Sequence, residues 1–131
     1  MTMKEFQARR RGMKKTQRQL ADLLGVSLRA IHSFEQGWRR IPVHVERQML
    51  FLVMLARRTH KPVAACWVIR QCPPHVRTSC PAWELKAGHY CWFINGTKCQ
   101  GKTMHTWQAK MQTCRRCKVF LAAVGPAVSE R

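Results

Sequence analysis

The chain of 131 residues carries 24 Lys or Arg against 6 Asp or Glu, for a net charge of +18 and a sequence pI near 10.9. Its acids, Glu5, Asp22, Glu35, Glu46, Glu84 and Glu130, form no evident carboxylate pair for acid–base work, and no phosphate-binding glycine loop, nucleophile elbow or zinc-protease His-Glu pattern is present, so no enzyme and no small-molecule substrate are expected. The basic surplus is an electrostatic footprint for polyanions and runs through both halves, with 14 Lys or Arg and 4 acids in residues 1–62 and 10 and 2 in residues 63–131.

Taken in chain order, the first strong pattern is Thr16 to Gly37, TQRQLADLLGVSLRAIHSFEQG. Leu20, Ala21, Leu23 and Leu24 recur at helical spacing, and Thr16 stands as N-cap with Gln19 three residues on, which predicts a helix from Gln17 to about Leu24. Gly25 can take the positive φ that ends a helix, and Ser27 can cap a second helix beginning at Leu28. At roughly 100° per residue, that helix puts Ala30, Ile31 and Phe34 on one arc and Arg29, His32, Ser33 and Gln36 on the other. One arc packs; the other is free to touch a partner.

These residues resemble the phage-repressor and Cro type of helix-turn-helix regulators, the XRE family. The resemblance is carried by Thr16-Gln17, Leu20-Ala21, Gly25-Val26-Ser27, Ile31 and Glu35-x-Gly37, and residues 3 to about 56 fit that family's five-helix domain. It implies double-stranded DNA as partner, with the second helix of the motif in the major groove. Carried over position by position, Leu28, Arg29, His32 and Ser33 face bases and Gln17 binds the backbone, with Arg18, Ser27, Arg39 and Arg40 completing the expected DNA-binding set. Arg29 suits guanine, because its planar fork donates to both major-groove acceptors. Lys14-Lys15 stand where relatives usually have an apolar residue, and Met13 is expected to fill that core position. A helical hairpin with a glycine turn also occurs in bundles that never meet DNA; here the charge favours DNA.

The next helix is predicted from near Pro42 to about Arg58, and its apolar run Met49 to Ala56 is far short of the ~18 to 20 residues that span a membrane. The run reads as a buried helix closing the bundle, with any uncovered part serving as the face of a homodimer whose two reading helices meet half-sites about one DNA turn apart. Lys4, Arg9, Arg10 and Arg11 give the N-terminus none of the character of a secretion signal, so a cytoplasmic, nucleoid-associated protein is expected. Thr59-His60-Lys61-Pro62 interrupts the helical pattern and divides a helix-turn-helix domain at 1–62 from a second module at 63–131.

That second module holds all seven cysteines, Cys66, Cys72, Cys80, Cys91, Cys99, Cys114 and Cys117. In a reducing compartment this count points to metal binding or redox chemistry rather than a disulfide framework, and a module of about 70 residues with poor apolar periodicity needs such a staple. Two Cys-Trp pairs 25 residues apart, Gly-Thr-x-Cys at 96–99, and Lys110 leading into Cys-x-x-Cys at 114–117 resemble the two-CW cysteine-rich module attached to bacterial signalling and regulatory proteins.

A single Cys-x-x-Cys is compatible with zinc, an iron–sulfur cluster or a dithiol pair. The other spacings, with 5, 7, 10, 7 and 14 residues between successive cysteines, suit a cluster gathered from separate loops better than zinc. Cysteine followed by proline at 72 and 80 is similar to ferredoxin ligand loops. Trp67, Trp83, Trp92 and Trp107 read first as core and second as a shield for a cluster, and His75, His89 and His105 as solvated or structural. All seven cysteines stand as candidate ligands, for an iron–sulfur cluster first and zinc as the alternative. The tail Leu121 to Arg131 is expected to fray.

Together these features predict a mainly α chain, a five-helix repressor-like domain followed by a loop-rich metal module. The function expected is a bacterial transcription regulator that senses redox state or metal. The alternatives are a constitutive DNA binder with a structural zinc module, and a protein-interaction adaptor.

Overall fold

The computed structural model describes residues 1–57, 64–99 and 101–126. These are mainly helical and divide into two compact units, Met1–Arg57 and Arg58–Pro126. The predicted linker at 59–62 lies outside the described residues. Among those described, no helix is long and apolar enough to cross a membrane.

The first unit contains four helices among its described residues, α1 (Met3–Gly12), α2 (Gln17–Leu24), α3 (Leu28–Gln36) and α4 (Val43–Ala56), not the five that the repressor resemblance implied. Local chemistry sets the boundaries. The Thr16 hydroxyl accepts from the Gln19 amide while the Gln19 side chain accepts from the Thr16 amide, a reciprocal cap that satisfies two otherwise orphaned donors. Gly25 sits at φ 68° and ψ 31°, and a Cβ there would meet nothing within 4 Å, so glycine is required by the left-handed backbone and not by space. The Ser27 hydroxyl then accepts from the Ala30 amide at 3.0 Å and starts α3.

The buried faces meet in one core of Phe6, Leu20, Ala21, Leu24, Ala30, Ile31, Phe34, Ile41, Val45 and Met49, with Phe6 edge-on to Phe34 at 5.8 Å. Met13 packs against this core while Lys14 takes a left-handed φ of 58°, so the chain passes the two lysines outward as the sequence requires. An ionic clamp spans the helices: Arg10 donates to both oxygens of the buried Glu35 at 2.6 and 2.9 Å, and Gln17 adds a third donor at 3.3 Å. The hydrogen bond and charge of Glu35 hold the Arg10 guanidinium above its ordinary pKa despite its partial desolvation.

The second unit is built from short pieces: α5 (Cys66–Ile69), α6 (Pro74–Arg77), α7 (Pro81–Glu84), a 3-10 turn at Cys91–Phe93, strands β1 (Thr97–Cys99) and β2 (Lys102–Met104), α8 (Trp107–Cys114) and α9 (Lys118–Val124). Pro74 and Pro81 occupy first helical positions, where the missing N–H costs nothing, so the prolines after Cys72 and Cys80 lead into new helices. β1 and β2 pair antiparallel, Lys98 opposite Thr103, a hairpin that the helical reading did not anticipate. The expected frayed tail is corrected in part. Leu121 to Val124 belong to α9, which buries Val119, Phe120 and Val124, and Phe120 packs edge-on to the wholly buried Trp92 at 5.5 Å.

Candidate nucleic-acid interface and cysteine centre

The two arcs of α3 separate as the helical period requires. Ala30, Ile31 and Phe34 are buried, while Leu28, Arg29, His32 and Gln36 are exposed and Ser33 is half-buried. Of the residues predicted to meet phosphate, Arg18, Arg39 and Arg40 are exposed. Gln17 is partly committed, since its amide nitrogen donates to Glu35; its second amide hydrogen and its oxygen remain for another partner. The Ser27 hydroxyl is spent on capping, and Arg39 lies over the Phe34 ring at 5.3 Å from its centroid.

Trp38 was not among the predicted contacts. It is 71% exposed, directly after α3, with its ring edge-on to His32 at 5.4 Å and Arg39-Arg40 following. A tryptophan followed by two arginines, directly after the reading helix, was the available signal, because a largely exposed indole gains little from folding.

In the second unit all seven cysteines line one cavity of about 390 Å³. They arrive from six places: the start of α5, the loop after it, the residue capping α7, the 3-10 turn, the end of β1, and the α8–α9 turn with its Cys-x-x-Cys. Among the described residues no three His, Cys, Asp or Glu side chains converge closely enough to hold a single ion as they stand. Trp67 and Trp83, edge-on at 4.8 Å, line this cavity, whereas Trp92 and Trp107 are buried in the packing of the unit. His75, His89 and His105 are exposed, and none is among the described residues of the cavity wall.

Four cations line the same space: Lys110, Arg70, Arg77 and Lys98. Lys110 is 1% exposed, and its ammonium donates to the Thr97 hydroxyl at 2.5 Å. A buried ammonium is costly unless a negative charge faces it. Burial works against the Arg70 charge, yet the facing Cys99 sulfur, with Cys117 and Cys114 behind it, raises its pKa overall. The Lys98 amide donates to the Cys80 sulfur at 3.3 Å, an N–H···S bond of the kind that steadies a thiolate.

The thiols are not alike. Cys91 hydrogen-bonds to Cys66; this bond holds the Cys66 thiol below its ordinary pKa against its burial and pushes Cys91 well above, with burial adding to the rise. Burial pushes Cys114 up to about 11, with Lys110 pulling the other way, and burial followed by the charges of Cys80 and Cys99 raises Cys72. The sequence set Cys66 and Cys91 apart by their Cys-Trp pairs and Lys110 by its place before Cys-x-x-Cys, but showed neither the contact between the two thiols nor the burial of the lysine.

Comparison of the chain with protein-family models, curated proteins and solved structures finds no match. What these two sites can do therefore follows from their own residues and geometry.

Proposed function

We propose that the chain is a sequence-selective DNA-binding transcription regulator whose second unit carries a thiolate-ligated metal centre, an iron–sulfur cluster with zinc as the alternative. The observation that carries the reading is the solvent-facing row Leu28, Arg29 and His32 on α3, whose opposite face is fixed by Ala30, Ile31 and Phe34 in a packed core. A side-chain row anchored in this way can follow base edges in a major groove, while Arg18, Arg39, Arg40 and the free capacity of Gln17 meet phosphates. Charge of +18 supplies the salt-sensitive part of the affinity. A two-fold pair formed along α4, where Val43 and Leu55 are exposed, would present two such rows to a palindromic site.

For the metal centre, the support is the buried Lys110 among the cysteines. Thiolates supply the negative charge that this ammonium requires, and Arg70 gives a second countercharge. Cys80, Cys99, Cys114 and Cys117 are the four best-suited ligands: Arg70 faces the last three, and the Lys98 amide ties Cys80 to the residue before Cys99. Seven thiols from six segments on one cavity wall exceed the ligands of one four-coordinate ion, which suits a cluster better than a single zinc. When bound, a cluster supplies one-electron exchange; its state would then govern how far the short helices of the second unit are ordered, and through the linker how DNA is held.

The test is full-length protein purified without oxygen, assayed for iron, zinc and acid-labile sulfide, and then for duplex affinity before and after oxidation. Matching iron and sulfide, with affinity changing on oxidation, supports the sensor. Zinc, with affinity lost only on chelation, makes the module structural. Absence of duplex binding in every state overturns the regulator.

A further inference from the structure

Two of the seven thiols are set apart by facing one another. Cys66 opens α5 and Cys91 opens the 3-10 turn, so the two Cys-Trp pairs of the sequence meet at one place. The backbone brings them there. The Cys66 amide donates to the Gly88 carbonyl at 2.8 Å, three residues ahead of Cys91. Gly88 runs so close to this segment that a Cβ would lie 2.6 Å from the Ala65 Cβ and 2.8 Å from the Trp67 ring. Glycine is required here by close approach. Both sulfurs are half-buried on the cavity wall, and the Cys91 thiol hydrogen-bonds to the Cys66 sulfur.

We propose that Cys66 and Cys91 form a peroxide-reactive dithiol pair, with Cys66 attacking and Cys91 resolving, separate from the four thiols assigned above to the metal centre. The hydrogen bond favours the division of labour: it eases loss of the Cys66 proton and makes loss of the Cys91 proton harder. In the first step the Cys66 thiolate attacks hydrogen peroxide. An S–O bond forms, the O–O bond breaks, and the departing hydroxide leaves as water after taking a proton, so Cys66 becomes a sulfenic acid. In the second step Cys91 loses its proton and its sulfur displaces the sulfenic hydroxyl. The S–S bond forms and the hydroxide leaves as a second water. In sum two thiols lose two electrons and two protons, and one peroxide becomes two waters. A small thiol such as glutathione reverses the bond by exchange. Closing the disulfide to an S–S distance of about 2.05 Å draws α5 onto the 3-10 turn and narrows one wall of the cavity.

The test treats the full-length protein with about one equivalent of hydrogen peroxide, caps remaining thiols with iodoacetamide, and maps the digest by mass spectrometry without reduction. The expected first product links the Cys66 and Cys91 peptides. Cys66→Ser should slow peroxide consumption about tenfold, whereas Cys72→Ser should leave it within about twofold. Cys91→Ser should convert the product to a trappable Cys66 sulfenic acid. The double variant Cys114→Ser/Cys117→Ser, which removes two proposed metal ligands, should still form the Cys66–Cys91 link, so failure of the metal reading leaves this one standing. First formation of any other disulfide in the unaltered protein, or Cys66 and Cys91 staying alkylatable while other thiols oxidise, overturns it.

Discussion

Removing Arg10 should cost far more than removing the charge of its partner. In Arg10→Met the Glu35 carboxylate, whose side chain is 3% exposed, keeps only the Gln17 amide at 3.3 Å. Two unit charges about 4 Å apart interact by about 4 kcal/mol at an effective dielectric of about 20, and orphaning the buried member forfeits this while its desolvation remains, so a loss of about 3 to 5 kcal/mol is expected. Glu35→Gln leaves Arg10, whose side chain is 12% exposed and also bonded to the Lys15 carbonyl at 2.9 Å; about 1 to 2 kcal/mol is expected there. The double variant buries no charge and should cost about as much as Glu35→Gln alone, giving a coupling of about 3 to 5 kcal/mol. Helical domains of this size hold about 3 to 9 kcal/mol in all, so Arg10→Met should remove about half or more of the first unit's stability. Urea titration of the full chain by far-UV circular dichroism reads the loss. Tryptophan fluorescence separates the units, since Trp38 alone of the five lies in the first. A cost for Arg10→Met under about 1 kcal/mol, or strictly additive single costs, would refute the clamp as the tie between α1, α2 and α3.

Trp38→Ala should leave thermal stability within about 0.5 kcal/mol, because the indole is 71% exposed, yet weaken duplex binding by at least about 1 kcal/mol, measured by fluorescence anisotropy. Lys110→Met should change the melting of metal-free protein by no more than about 1 kcal/mol while lowering the retained metal per chain; unchanged metal with a collapsed melting temperature would mean the lysine serves packing alone. Cys114 sets a pH dependence. Its folded pKa of about 11 lies above the 9.0 of an unperturbed thiol, so the folded state holds a proton that the unfolded state releases between these values. Metal-free protein should therefore keep this contribution below about pH 9 and lose on the order of 2 kcal/mol as pH rises to about 11, visible in urea midpoints and absent in Cys114→Ala.

The short-range physics of the first unit was legible. Thr16, Gly25 and Ser27 act on residues two to five positions away, so their roles are written beside them, and the α2 boundaries fell where those signals predict. The pairing of Arg10 with Glu35 spans 25 residues and has no period to betray it. The fifth helix, not found among the described residues of the first unit, was expected from resemblance and not from any pattern in the residues. In the second unit, helices of four residues are too short to show a hydrophobic face, and a lysine in sequence reads as solvated until the fold closes over it. The hairpin at 97–104 carries no run of β-branched residues, and the gathering of six separate cysteine-bearing segments around one cavity is a property of tertiary structure alone.

Selection from randomised duplexes tests the central reading most directly, carried out in parallel with the unaltered protein and with Arg29→Ala at matched salt. The unaltered protein should enrich a defined motif, and Arg29→Ala should lose preference, by about 1 to 3 kcal/mol, at one guanine within it while keeping its phosphate-driven affinity. Enrichment of no motif, or of the same motif to the same degree by both proteins, would contradict base recognition by α3.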